Sequence, residues 1–186
     1  RVKNFMNYQI MDQMKEYEAD FDQMLFYLPL AGSTFKKVYY DDLLGRAVSK
    51  FVPADDLIVP YTATSLDDAE SVIHVVKMSE NELRKQMVSG FYSDIELTKP
   101  TDANTNELEE KEREVEGLTK SQRVEAMYTV LECHVNLDLE GFEDLGPDGE
   151  PTGIKLPYVV TIEEGSRRVL SIRRNFAPND PKKNKI

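Results

Sequence analysis

The sequence is poor in the residues that cross-links and much enzyme chemistry require. It has one cysteine, Cys133, so no disulfide can form within the chain, and a lone thiol fits a reducing compartment. It has two histidines, His74 and His134, which leaves few candidates for zinc ligation. No run of about 18 apolar residues occurs, so no bilayer-spanning helix is expected. The N-terminal RVKNFMNYQIMDQM has neither a continuous apolar stretch nor a small-residue cleavage site, and does not read as a signal peptide. Phosphate loops of the forms GxGxxG and GxxxxGK(S/T) are absent, and so is a GxSxG nucleophile elbow. Basic charge is also short. Lys and Arg total 23 against 34 Asp and Glu, a formal net charge of -11. That is the wrong sign for a surface that wraps nucleic acid by itself. The one basic cluster, Arg167, Arg168, Arg173 and Arg174, reads as the solvated rim of a strand pair rather than a phosphate site.

What is present suits a soluble globular protein. The 186 residues are 40% hydrophobic and 31% charged, enough for one domain with a sizeable core or two small ones. Arg1 is not preceded by an initiator Met, the first residues read as mid-helix, and the chain ends in the polar PNDPKKNKI. The expectation is a piece of a larger protein.

From 2 to 28 the apolar residues Val2, Phe5, Met6, Ile10, Met14, Tyr17, Phe21, Met24, Leu25 and Leu28 recur in steps of three or four. That spacing predicts one stripe along a long helix. Its methionines read as core packing, with an adaptable binding groove as the alternative. Pro29 should stop the helix and Gly32 should permit a sharp turn. TFKKVYY (34–40) and RAVSKFV (46–52) predict an antiparallel hairpin across DDLLG, with Gly45 free to take positive φ. VIHVVK (72–77) reads as a strand. Ser79 and Glu82 form a capping box for a short helix near 80–89, which Gly90 ends.

The stretch 98–123 is highly charged and poor in apolar residues, so it reads as a mobile linker or a loosely held helix. Beyond it, apolar residues alternate from Met127 to Leu139, with Glu132, His134, Asn136 and Asp138 between them. Period two predicts a long strand with one buried face. Strands at 154–163 and 168–176, joined by the tight turn EEGS, complete a three-stranded antiparallel meander. Its core face should hold Leu131, Cys133, Val135, Leu156, Tyr158, Val160, Leu170 and Ile172. The fold class is therefore α+β: a long N-terminal helix, a hairpin and mixed strands with a short helix, then the meander. The expected division is 1–97, a linker at 98–123, the meander part at 124–178 and a polar tail at 179–186.

No catalytic, cofactor-binding or metal-ligating residue can be assigned with a motif behind it, and no cofactor is implied. Cys133 and His134 are adjacent on a strand, point to opposite faces and cannot chelate one ion together. Cys133 reads as core, and His74 and His134 read as structural strand residues. Glu140, Glu143, Asp144, Asp148 and Glu150 lie in a turn-rich loop. They match no EF-hand spacing and read as solvated, with a hard-cation site as the alternative. The run Glu107, Glu109, Glu110, Glu112, Glu114 and Glu116 reads as a charged, solvated face.

Some long strings in the chain are more specific. FYLPLAGSTFKKVYYD (26–41) followed by FVPADDLIVPY (51–61), then SVIHVVKMSENELRKQMVSGFY (71–92), and finally LPYVVTIEEGSRRVLSIRRNF (156–176), resemble the portal proteins of podovirus-type tailed bacteriophages. The resemblance covers roughly 21–93 and 125–178, and is weakest over 98–123. It implies a subunit of a dodecameric ring at one capsid vertex, a head-to-tail connector through which DNA is packaged and ejected. Such a ring docks terminase and later the tail, is assembled in the bacterial cytoplasm, and ends up in the virion. A mixed piece ahead of the stem helices is similar to the wing of that subunit, with stem, clip and crown missing. Two alternatives from other classes remain. One is a metal-dependent hydrolase with Glu140, Asp144 and Asp148 converging on an ion. The other is a generic protein-binding module.

Overall fold

The computed structural model describes residues 1–41, 44–67, 69–97, 127–146, 148–177, 180 and 183. The charged stretch 98–123, expected to be a linker, lies outside the described residues. The chain is α+β and divides into two units, Arg1–Leu57 and Ile58–Ile186. The division falls earlier than the sequence suggested. The reason is strand pairing: β4 (Ser71–Met78), which precedes the charged stretch, pairs along its length with β5 (Tyr128–Leu137), which follows it.

In the first unit, α1 (Val2–Tyr8) passes into a π-helical turn over Gln9–Gln13, and α2 (Tyr17–Ala31) follows. Met14 donates its N–H to the Gln9 carbonyl at 2.9 Å and leaves the helical region at ψ 77. The helix forecast from the apolar stripe is thus interrupted in its middle. No residue of α1 or α2 is buried: Met6 is exposed, and Met14, between the helices, and Met24 are only partly buried, so none of the three is a fully buried core residue. The hairpin covers Tyr17 and Phe21 in α2, whereas Val2, Phe5 and Met6 in α1 are exposed, and an uncovered part of a stripe gives little tertiary force to keep a helix continuous. Pro29 does not end α2, which runs two residues further to Ala31. Proline has a helix-compatible φ and near the C-terminus sacrifices only one backbone bond. The stop comes from Gly32, at φ 75, whose N–H reaches the Leu28 carbonyl at 2.9 Å. The hairpin forms as expected: β1 (Phe35–Asp41) and β2 (Arg46–Val52) pair antiparallel from Phe35 opposite Val52 to Asp41 opposite Arg46.

The second unit is built on a sheet ordered β3 (Leu57–Ile58), β4, β5, β6 (Leu156–Glu163) and β7 (Arg168–Arg174). Its last three strands are the antiparallel meander. One face holds Cys133, Leu156, Tyr158, Val160 and Phe176, with Leu131, Val135 and Ile162 packed against them. This is the face that period two foretold. The other face is also covered at one end, where Tyr128, Val130 and Leu170 meet Leu83 and Tyr92. Leu83 comes from α3 (Glu80–Val88), which starts with the Ser79–Glu82 capping box. Leu170 therefore belongs to the opposite core from the one expected. A register shift at Thr161/Ile162 pairs Ser171 with Thr161 but Val169 with Ile162. Leu170 becomes the extra residue of a bulge, and its side chain changes face. Ile172, expected inside, is half exposed on β7, the edge strand.

Candidate functional site

In the first unit, one side of the helix holds the hairpin. Glu16 accepts a hydrogen bond from Arg46 at 2.6 Å, and Asp20 accepts the backbone N–H of Phe51 at 3.1 Å. The Arg46 guanidinium draws the Glu16 carboxyl below its ordinary range. Tyr17 and Phe21 stack with centroids 5.9 Å apart, and the Lys36 ammonium lies 3.9 Å from the Tyr17 ring. Tyr27 packs on Phe51 at 5.6 Å. Elsewhere the helical segment exposes apolar side chains among charged ones such as Lys3, Asp12, Glu18 and Asp22. Phe26 is 67% exposed and Leu30 71%. Val2, Phe5, Met6 and Met11 are likewise exposed. Single exposed hydrophobes need no explanation; these fall in two groups, one in α1 and the π-helical turn and one near the C-terminus of α2.

In the second unit, strand register lines up a polar row on the α3-bearing face of the sheet. His74 is opposite Glu132, Glu132 is opposite Thr161, and Thr161 is opposite Ser171. The Ser171 hydroxyl donates to Thr161 Oγ1 at 3.2 Å. His134, two residues from Glu132 and on the same face, stands with Nε2 3.0 Å from Glu132 Oε1. Cys133 points the other way, into the apolar cluster, and burial raises its thiol pKa. The sequence foresaw that opposition between Cys133 and His134. It did not foresee that both histidines share a face around one carboxylate, because β4–β5 register cannot be read from either strand alone.

The four arginines do not form one patch. Arg173 and Arg174 are adjacent on β7 and face opposite sides of the sheet. The Arg173 guanidinium lies 3.6 Å from the Phe91 ring centroid, and that of Arg174 lies 5.8 Å from Phe142. Arg167 sits in the β6–β7 turn at φ 55. That turn is held by Glu163, whose carboxylate accepts the N–H groups of Gly165 at 2.9 Å and Ser166 at 2.6 Å.

In the acidic loop, Asp144 is engaged locally. Its Oδ2 accepts the Thr152 hydroxyl at 2.9 Å, and Leu145 bridges Pro151. Backbone N–H groups of Gly141 and Glu143 hold the Glu143 carboxyl below its usual range. Among the described residues no group of three or more His, Cys, Asp or Glu side chains is placed where it could hold a metal ion. The carboxylates at 107–116 lie outside the described residues. No described helix is long and apolar enough to cross a membrane. No family model matches the chain, and no curated protein matches it.

Proposed function

We propose that this chain is the wing region of a tailed-phage portal subunit, a structural ring component and not an enzyme. Two things support the reading. The first is the resemblance carried by the long strings at 26–41, 51–61, 71–92 and 156–176. The second, and the observation with most physical weight, is the number of exposed apolar side chains on the N-terminal helical segment, Val2, Phe5, Met6, Met11, Phe26 and Leu30 among them. A helix that buries none of its residues within its own unit draws little stability from propensity alone. It suits a subunit whose face is covered when neighbours assemble. A cyclic ring is built from heterologous contacts, in which one patch meets a different patch on the next copy. The apolar helical face is one such patch.

In this reading the partners are further copies of the protein, the capsid, terminase and the tail, and the site of action is the portal vertex of the virion. DNA passes through the ring without tight binding to this region. A net negative subunit weakens phosphate contacts, as a sliding conduit requires. The hydrolase alternative needs Asp144 turned toward an ion shared with Glu140 and Asp148, whereas its carboxylate is turned to Thr152. Electron microscopy of the intact protein that contains this sequence tests the reading. Closed rings with a central hole are expected; a field of monomers would overturn it.

A further inference from the structure

We infer that the outer edge of β7 binds an extended acidic segment of another protein as an added strand, a site independent of the ring reading. The inference starts from which amides face outward. Asn175 donates its N–H to the Pro157 carbonyl at 3.0 Å, and Arg174 is opposite Tyr158. Residues along an antiparallel strand alternate between those that bond the partner strand and those that do not. The amides of Ser171 and Arg173 therefore face β6, and those of Ile172 and Arg174 face away. β7 is the last strand of its sheet. Among the described residues, no hydrogen bond reaches the outward N–H and carbonyl groups of Ile172 and Arg174. At Leu170 the chain itself uses this edge, where Ser93 donates its N–H to the Leu170 carbonyl at 2.8 Å. A groove of about 400 Å³ adjoins that contact, lined by Phe91, Tyr92 and Ser93 and by Ser171, Ile172 and Arg173.

An open sheet edge takes up a further chain by strand addition, with the backbone supplying affinity and the side chains specificity. The side chains of this edge select charge. Ile172 and Arg174 flank the incoming backbone on one face of the sheet, and Arg173 flanks it on the other. Arg168, Arg173 and Arg174 are exposed, and none of them forms an ion pair among the described residues. The Arg173 guanidinium is held over the Phe91 ring at 3.6 Å, beside the groove. Val169 and Ile172 are 43% and 49% exposed, so apolar side chains of the segment gain contact beside its carboxylates. The same arginines disfavour a second β7 as the occupant, because like charges directly opposed across strands are destabilising. An acidic strand meets them as opposite pairs, so one feature repels self-pairing and attracts the partner.

A short end-blocked peptide of alternating glutamate and valine is the probe, and its binding to the full chain is followed by amide NMR and hydrogen exchange. With the peptide in excess, the Ile172 and Arg174 amides should shift and gain protection from exchange. The Ser171 and Arg173 amides, already bonded to β6, should gain little. The same peptide with lysine in place of glutamate should bind about tenfold more weakly, since cross-strand pairs turn from opposite to like charge. Arg173→Glu should weaken the glutamate peptide in the same direction. If that variant loses its far-UV spectrum, the two peptides compared on the wild type decide. No amide response, protection confined to other elements, or equal binding of the two peptides would overturn the inference. So would protection of the same amides on raising the protein concentration alone, which would make a second copy the occupant.

Discussion

Glu163 is 3% exposed, yet its carboxylate accepts two backbone N–H groups of the following turn. This one side chain satisfies two amides of the turn that carries Arg167 at φ 55. Glu163→Ala strips both amides of their acceptor and is expected to cost about 2 kcal/mol, in the range for hydrogen bonds to a charged group. Urea unfolding measures it, and Glu163→Gln, which keeps one acceptor, should cost less. Glu16 behaves differently because its partner is a cation. Hydrogen bonding to Arg46 lowers its folded pKa, so its contribution is complete above the ordinary glutamate value of about 4.3. It is lost as pH falls through the lower folded value. Wild type should therefore lose more stability than Glu16→Gln on acidification across that window, as unfolding midpoints at stepped pH will register. Cys133 was readable in advance because alternation alone sets its face. The role of Glu163 was not, since a turn that borrows a side-chain carboxylate leaves no period in the sequence.

The elements divide along the same line. The short helix α3 could be read from Ser79, Glu82 and Gly90, because capping is local chemistry. Its docking residue follows from burial. Leu83 is fully buried against Tyr92, Tyr128, Val130 and Leu170. Leu83→Ala is expected to cost about 3 kcal/mol, while Ser79→Ala costs about 1 kcal/mol through the lost cap. Chemical denaturation of the two variants should preserve that order; the reverse order would mean that α3 is held by its cap and not by the sheet. The N-terminal helix shows the limit of periodicity. The stripe from Val2 to Leu28 predicted a buried face, but periodicity records amphipathic character and not what lies opposite. The bulge at Leu170 was equally invisible, since one extra residue changes face without changing composition.

At the scale of the whole molecule, the antiparallel hairpin and the meander were legible because their strands are neighbours in sequence. The pairing of β4 with β5 was not. It joins segments on either side of the charged stretch, and it moves the division of the chain to Leu57/Ile58. The same long-range pairing sets His74 opposite Glu132. On the proposed ring reading, the exposed apolar side chains of the helical segment, Phe26 and Leu30 among them, meet the next subunit. Mass photometry of the intact protein and of a Phe26→Glu, Leu30→Glu variant tests that account most directly. A closed oligomer of uniform mass that falls apart in the variant is the predicted result. A monomer in both, or an oligomer indifferent to two charges on that face, would contradict it.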